Sequence, residues 1–400
     1  MGTLIFAGEA IFCLPFVLPR VFRPTMLDVF GLTNIELGLA FSTYGITAMI
    51  AYIVGGPLAD RYSPRRLMTV AMFATAAGGV VLAGLPTGMH LNLLYAWWGV
   101  TSIFLFWAPL IRATREWSGD EQQGWAFGLL EGGRGLVAAG LGSLAVVVLA
   151  LLLPVDTAPT LDERRAAFIE LVWLYSGWTA LAGILVWLFV PDSDPVERRS
   201  VFKGLRQVIR MPVVWLQTAI VICAYIGFKS SDDFSLYARD VFGYDDVEAA
   251  EVATMSLWIR PLVAVAAGAL ADRLSASRVT MVGFTVMGCG SLAIALGYSL
   301  PVVGLVLNVA ALSVGIYGLR GVYFALFNEG NVPLAHTGCA VGIVSLFGYT
   351  PDVFMSPAIG FLIDGSPGAL GHQYVFAVVA ITSLIGFVCA WLFRQQARHR

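Results

Sequence analysis

Charged side chains are scarce in this sequence, since Asp, Glu, Lys and Arg make up only 12% of its 400 residues. About a quarter of a soluble globular protein is charged, so the composition excludes an ordinary soluble domain. The charges that are present nearly cancel, at a net −2. No basic stripe is present apart from the short segments between apolar runs, so nucleic acid is not expected as a partner.

The sequence also lacks the signatures of disulfide, metal, nucleotide and catalytic sites. Its five cysteines fall inside apolar runs without metal-ligand spacing, and are expected to be small apolar fillers: Cys13, Cys223, Cys289, Cys339 and Cys389. The glycine-rich stretch EGGRG at 131–135 is not followed by the Gly-Lys-Ser/Thr of a phosphate loop. No enzyme is predicted, and no cofactor or metal is expected.

Apolar runs, in contrast, are abundant. The chain is 58% hydrophobic, with 43 glycines and a mean hydropathy of +0.79. An α-helix needs roughly 20 apolar residues to cross a bilayer, and the alternating segments of a β-barrel are not seen. We predict an all-α membrane protein with twelve spans, at 3–27, 37–59, 67–86, 91–112, 124–152, 167–190, 210–238, 248–270, 279–299, 302–327, 338–363 and 373–393. The first run has neither a basic segment before it nor a cleavage site after it, so a retained span is expected rather than a signal peptide.

Basic residues collect on one side of these spans. With a cytoplasmic N-terminus, fifteen Lys and Arg lie on the cytoplasmic side, against four outside: Arg23, Arg164, Arg165 and Arg239. This positive-inside bias predicts that both termini are cytoplasmic. No Asn-x-Ser/Thr sequon is present and the loops are short, which favours a bacterial inner membrane.

Two halves of the chain repeat each other. A shift of 212 residues aligns GGPLADRYSPRR (55–66) with AGALADRLSASR (267–278), and Phe30-Gly31 with Phe242-Gly243. Because six spans return the chain to its starting side, the repeats are parallel. We therefore predict an N-terminal six-helix bundle at 1–190, a cytoplasmic linker at 191–210 and a C-terminal six-helix bundle at 211–400.

The repeated loop resembles a known family motif. Gly56-x-Leu58-Ala59-Asp60-Arg61-x-Ser63-x-x-Arg66 is similar to the signature between helices two and three of the major facilitator superfamily, and 268–278 to its weaker second copy. The one departure is Ser63, where the family often has Gly. The resemblance covers the whole chain and implies a secondary transporter whose two bundles rock around a midplane site.

The same resemblance implies a gating role for the motif. Contacts of this loop latch the halves of family members when the cytoplasmic side is closed. The residues carried over are Asp60, Arg61 and an arginine that ends helix four, Arg112 or Arg115, with Asp272 and Arg273 in the second copy. The alternative is that these arginines only fix topology.

Charges inside the spans are candidates for cargo binding, because burying them is costly. The five basic residues there are Arg20, Arg134, Lys229, Arg260 and Arg320. Arg260 lies near mid-depth beside Pro261, and its guanidinium suits a carboxylate or phosphate. Asp232 is the repeat partner of Arg20. We predict that Arg260, Lys229, Arg20, Asp232 and Asp233 bind the cargo, with basic groups from both halves converging on one cavity.

The remaining in-span acids have two interpretations. Glu131 and Arg134 are spaced i, i+3 and can bridge on one helix face, so a structural pair is favoured. Asp352 is either a proton carrier or the counter-ion of Arg260 or Lys229. Glu131, Arg134 and Asp352 are therefore assigned to proton coupling or to charge compensation.

Together these patterns predict a secondary active transporter for a small organic anion, such as a carboxylate, sugar acid or phosphorylated metabolite, moved by exchange or with protons. The protein is expected to be a monomer whose partners are this small molecule, membrane lipid and, where coupling requires them, protons. The alternative is a proton-coupled transporter of a neutral or cationic solute or drug. A non-transporting membrane sensor and a channel are less favoured, because no large soluble domain is present and the two-fold repeat carries paired latch loops.

Overall fold

The computed structural model describes residues 1–119, 123–154, 157–192, 205–297, 303–332 and 334–398. In these ranges every regular element is helical. The helices of the first part of the chain are α1 (Gly2–Ala10), α2 (Leu18–Val21), α3 (Arg23–Phe30), α4 (Asn34–Arg61), α5 (Pro64–Ala83), α6 (Gly88–Gly99), α7 (Ala108–Ser118), α8 (Gln123–Leu152) and α9 (Leu161–Phe189). Those of the second part are α10 (Leu205–Ile209), α11 (Pro212–Ser230), α12 (Phe234–Phe242), α13 (Asp246–Leu274), α14 (Ala276–Ala295), α15 (Val303–Val322), α16 (Leu326–Glu329), α17 (Leu334–Gly348), α18 (Pro351–Gly365) and α19 (Ala369–Arg398).

The predicted membrane spans are confirmed in number. Within the described ranges, eleven helical stretches are long and apolar enough to cross a membrane, or twelve if the bent pair Gly2–Ala10 and Cys13–Val21 is one span. The two parts of that pair meet at 45°, around a π-helical turn at Cys13–Val17. Pro15 lies in this turn and has no N–H to donate, which accounts for the bend. Several shorter elements are continuous with each other, such as α6 and α7 through the π-helical segment Val100–Trp107.

The internal repeat extends to the caps that open matching helices. Thr33 caps α4, its hydroxyl accepting from the Glu36 N–H while Glu36 accepts from the Thr33 N–H. At the shifted position Asp245 accepts from the Glu248 N–H, and Glu248 accepts from the Asp245 N–H. Each pair is a reciprocal capping box. Both copies of the repeat therefore begin their second long helix in the same way.

The turns before these caps also match. Gly31 ends α3 with φ +63°, and Gly243 ends α12 with φ +70°. These are left-handed conformations that glycine adopts without steric cost. The Phe-Gly echo in the sequence thus marks the same helix end in both halves.

Contacts divide the chain into two compact units. Unit 1 contains Met1–Arg198, Asp232–Pro261 and Ser356–Phe361, and unit 2 contains Arg199–Ser231, Leu262–Met355 and Leu362–Arg400. In unit 1, α5 packs on α9, α4 on α6, and α1 on α8. In unit 2, α14 packs on α15 and α19, and α11 packs on α19. The units differ from the two predicted halves, because residues 232–261 and 356–361 pack with the first part of the chain.

One of these contacts, inside unit 1, is made through glycines of α4 and α18. A Cβ atom on Gly38 would lie 2.6 Å from the Ser356 carbonyl oxygen, and one on Gly360 would lie 2.5 Å from the Asn34 backbone. Real Cβ atoms do not approach backbone so closely, so the two helices meet at this distance only because both positions are glycine.

The predicted linker is only partly described. Residues 191–192 and 205–210 belong to the described ranges and include α10, whereas 193–204 lie outside them. The side chain of Asp60 also lies outside the described part of the chain, although its backbone belongs to α4.

Candidate functional site

Two acids and two arginines form a cluster inside unit 1, which we call the N-terminal cluster: Glu9, Glu131, Arg134 and Arg260. The Glu9 carboxylate lies 3.2 Å from Arg134 Nε and 3.2 Å from Arg260 Nη1. Glu131 lies 2.6 Å from Arg134 Nη1 and 3.7 Å from Arg260 Nη2. Each carboxylate therefore faces both guanidinium groups, and the four charges balance.

The helices explain why these four side chains meet. Glu9 lies in the last turn of α1, Glu131 and Arg134 share one face of α8, and Arg260 precedes Pro261 inside α13. The i, i+3 bridge predicted between Glu131 and Arg134 is present. Arg260 is 8% exposed, whereas the Glu131 side chain is 48% exposed. Of these two residues, Glu131 is thus the more accessible, and the one that a ligand can more easily displace.

A second cluster lies inside unit 2 and consists of Tyr225, Lys229, Arg320 and Asp352; we call it the C-terminal cluster. Lys229 Nζ lies 3.7 Å from Asp352 Oδ1, and the Tyr225 hydroxyl donates to Asp352 Oδ2 at 2.9 Å. The Arg320 guanidinium lies 5.6 Å from the Tyr225 ring centre. Of the two predicted counter-ion arrangements of Asp352, the structure shows the contact with Lys229. The cluster holds two basic side chains and one acid.

Aromatic rings surround this cluster. Arg320 stacks on Phe228 with 4.0 Å between the guanidinium carbon and the ring centre. Tyr225 contacts Tyr349 with ring centres 4.9 Å apart. Tyr225, Phe228, Arg320, Tyr349 and Asp352 are all half-buried, whereas Lys229 is only 1% exposed. A partly open basic site with aromatic walls results, and cation–π contacts hold the arginine in place.

The structure pairs Arg20 directly with its repeat partner. Arg20 Nε lies 2.6 Å from Asp232 Oδ1, and both side chains are buried. Next to this pair, Arg23 Nε lies 3.8 Å from Asp233 Oδ1, and Arg23 also donates to Asn34. The sequence predicted that Arg20, Asp232 and Asp233 bind cargo. In the structure they lie in buried ion pairs, which compensate their charges without a ligand.

Near these pairs, four further charges form an end network, again inside unit 1: Asp28, Arg164, Arg239 and Asp246. Asp28 Oδ2 accepts from Arg164 at 2.8 Å and from Arg239 at 2.9 Å. Arg164 Nε also lies 3.0 Å from Asp246 Oδ2. The Thr25 hydroxyl donates to Asp246 at 2.8 Å. The network connects the ends of α3, α9, α12 and α13.

The comparisons with known proteins agree with this architecture. A family model of the Major Facilitator Superfamily matches residues 5–351. The chain belongs to this superfamily. It is a membrane transporter and not an enzyme.

Curated relatives of this superfamily member cover nearly its whole length. It is 26% identical to the inner membrane protein YqcE of Escherichia coli, over 97% of this chain and 92% of that protein. It is 26% identical to the probable nitrate/nitrite antiporter NarK1 of Thermus thermophilus, over 90% and 79% of the two chains. It is 24% identical to the alpha-ketoglutarate permease of Bacillus subtilis, over 89% and 81%.

A solved structure shows the same fold. The nucleoside transporter NupG superposes with a TM-score of 0.76 at 13% identity, covering 99% of this chain and 98% of that one. At this identity the likeness establishes the arrangement of helices alone. The prediction of a major facilitator fold from the repeated loop is confirmed.

The superfamily motif lies where the structure turns sharply between helices. In the first copy, α4 ends at Arg61 and α5 begins at Pro64. Arg112 binds Glu116 at 2.7 Å and donates to the Tyr62 carbonyl at 3.4 Å, so it contacts the motif loop. Its predicted part in a latch with Asp60 and Arg61 stays a prediction.

In the second copy, α13 ends at Leu274 and α14 begins at Ala276, with Asp272 and Arg273 exposed. Glu329 accepts from the Ser277 N–H at 2.7 Å and from the Ser277 hydroxyl, so it satisfies the first turn of α14. The gating roles of Asp272 and Arg273 are likewise untested and remain predictions.

Sequence reasoning did not identify two charged residues as partners. Glu9 contacts both arginines of the N-terminal cluster. The sequence signal that could have identified it is its position, because it is an acidic residue at the seventh place of the predicted span 3–27. Arg23 was assigned to the outer loop but is 2% exposed. The reason is that the chain breaks at Phe22 and starts a new helix at Arg23, which keeps the residue within the bundle.

Proposed function

We propose that this transporter carries a small organic anion, such as a carboxylate, sugar acid or phosphorylated metabolite, by alternating access. The observation that carries the proposal is the C-terminal cluster, in which Lys229 lies beside Asp352 and Arg320 lies over the Tyr225 ring. The two basic side chains, Lys229 and Arg320, attract a cargo anion to this cluster. The half-buried Arg320 offers a planar fork of donors for carboxylate or phosphate oxygens.

Within unit 1, the N-terminal cluster offers an anion contact of its own. Its charges balance, so an anion binds Arg260 only by replacing a carboxylate that is already there. Glu131 is the replaceable one, since it is half-exposed and 3.7 Å from Arg260. When the anion displaces Glu131, the freed carboxylate takes up a proton, and anion movement is then coupled to proton movement. In the alternative, Glu131 stays ionised and the bound anion leaves only when a second anion replaces it, which is exchange.

Relatives with anionic substrates agree with this assignment. One is named for nitrate and nitrite and another for alpha-ketoglutarate. YqcE is named as an inner membrane protein, and the excess of Lys and Arg on one side supports cytoplasmic termini for this multi-pass protein. We take the transporting unit to be a monomer, because each chain contains both halves of the repeat.

The test is a thermal-shift screen of the purified protein with organic anions, neutral sugars, nucleosides and cationic drugs, followed by uptake into proteoliposomes. An organic anion should stabilise the protein and be transported. Arg320→Gln should weaken binding of that anion by about 30-fold or more, as expected when one member of a buried charged contact is lost. Arg320→Lys should retain part of the affinity.

The matched control is Arg165→Gln, because Arg165 is an exposed arginine outside both clusters. Its anion affinity should be unchanged. Stabilisation by a neutral or cationic solute alone, with Arg320→Gln binding as well as the parent, would overturn the anion proposal.

A second candidate is proton-coupled transport of a neutral or cationic solute. Asp352 favours it, since this partly exposed carboxylate accepts from Tyr225 and lies in a span, as proton carriers do. A solved structure of the same fold is a nucleoside transporter. Under this candidate Asp352→Asn abolishes proton-driven uptake but leaves exchange of the solute intact, whereas loss of both processes would count against it.

A further inference from the structure

An open groove lies between α8 and α9, on the surface of unit 1. Its volume is about 340 Å³, and it is lined by Val148, Leu152, Glu170, Trp173 and Leu174. Four of the five side chains are apolar, and Leu152 and Trp173 are 44% and 45% exposed. The groove is therefore an apolar surface with a single carboxylate in it.

Glu170 is unusual in this position. It is exposed and lies within the candidate span Leu161–Phe189. Within the described part of the chain, its carboxylate has no ion-pair or hydrogen-bond partner. It does not cap the helix, because Thr160 and Glu163 already do so. A carboxylate exposed in a membrane span is costly unless something compensates it.

The depth of Glu170 indicates what compensates it. The groove lies where α8 ends at Leu152 and α9 starts at Leu161. Glu170 is nine residues into α9, or roughly 13 Å along it. Trp173, one turn further on, is a residue type that prefers the headgroup boundary. The carboxylate therefore lies within reach of lipid headgroups, while the apolar side chains lie beside acyl chains.

We propose that this groove binds a phospholipid whose headgroup carries a primary amine, such as an ethanolamine lipid. The ammonium group donates hydrogen bonds to Glu170 and neutralises it, and one acyl chain covers Leu152, Trp173 and Leu174. A choline headgroup has the charge but no N–H to donate, and an anionic glycerol headgroup meets the carboxylate with like charge. The site is independent of the cargo and of both charged clusters.

The test uses the purified full-length protein, with thermal stability and native mass spectrometry recorded in ethanolamine, choline and glycerol phospholipids. Ethanolamine lipid should stabilise the parent most and remain bound as a discrete adduct. Glu170→Gln should lose this preference. Glu251→Gln is the matched control, since Glu251 is an exposed glutamate near the start of α13, and it should keep the preference.

Two further outcomes decide the proposal. Ethanolamine lipid with brominated acyl chains should quench the parent fluorescence, and the quenching should fall in Trp173→Phe. Equal stabilisation by choline lipid, or an unchanged preference in Glu170→Gln, would overturn the proposal. A change of oligomeric state in Glu170→Gln without any lipid effect would assign the groove to a second copy of the chain and overturn it as well.

Discussion

Among the residues that the structure describes, Ser275 has a backbone conformation poorly suited to its side chain. It precedes α14 with φ +143° and ψ +147°, a region that residues other than glycine rarely adopt. The matching residue of the first repeat, Ser63, has φ −61°. The two copies of the motif thus turn differently, although both carry serine.

We expect Ser275→Gly to raise the thermal unfolding midpoint, because it removes strain of about 1–3 kcal/mol. Ser63→Gly is the matched control and should leave the midpoint equal or lower, since glycine there only adds freedom to the unfolded chain. Scanning fluorimetry of both variants measures this. Equal shifts in the two variants would show that Ser275 is not strained.

Charged residues within the spans also show what the sequence can predict about single sites. A charge in an apolar run is visible at once, so Arg20, Arg134, Lys229, Arg260 and Arg320 were all identified. Partners within one helix follow from spacing, as for Glu131 and Arg134. Partners on different helices depend on how far each helix is shifted along its neighbour, which one sequence does not contain.

At the scale of helices, the close crossing of α4 and α18 depends on one glycine from each. The lengths of most helices are predictable from apolar runs, and their caps from residues such as Thr33 and Glu36. Their crossing points are not, because small residues occur throughout the chain, with 43 glycines. The structure distinguishes Gly38 and Gly360 from glycines that touch nothing, such as Gly140.

Gly38→Ala and Gly360→Ala should each lower stability by about 1–3 kcal/mol, since the added methyl group meets backbone that does not yield. Gly140→Ala on α8 should be neutral or slightly stabilising, because nothing lies within 4 Å of its Cβ position. Denaturation in detergent gives the three values. The double variant Gly38→Ala with Gly360→Ala should lose less stability than the sum of the two single losses, because both changes disturb the same helix crossing.

For the whole molecule, the end network connects elements from both halves of the repeat. Asp28 comes from the first half, and its partner Arg239 comes from the second. The resemblance assigns Asp60 to a latch at the other ends of the spans. On that assignment, we expect contacts at opposite ends of the spans to set the equilibrium between two open states.

Asp28→Asn should slow transport while preserving cargo binding, because a neutral amide holds Arg164 and Arg239 less strongly. Asp60→Asn should also slow transport, by shifting the equilibrium in the opposite direction. A shift of 1.4 kcal/mol changes a population ratio about tenfold, so the double variant should regain part of the lost turnover. Rates of uptake and equilibrium binding are compared for all three variants.

Asp162→Asn is the control here, since Asp162 is 92% exposed and, among the described residues, its ion pair is with its helix neighbour Arg165. Its turnover should equal that of the parent. If the double variant is slower than either single variant, the two ends do not oppose each other and the gating assignment of Asp60 fails.

The ion pair between Arg20 and Asp232 also bears on whether the two copies of the repeat are interchangeable. These residues are 212 positions apart, the same distance that aligns the two repeats, and they touch. In a dimer of identical six-helix subunits, a residue that meets its own symmetry mate meets an identical side chain. Two arginines or two aspartates would then face each other in a buried place and repel. This contact therefore requires the two copies to differ at this position, so neither half is able to substitute for the other.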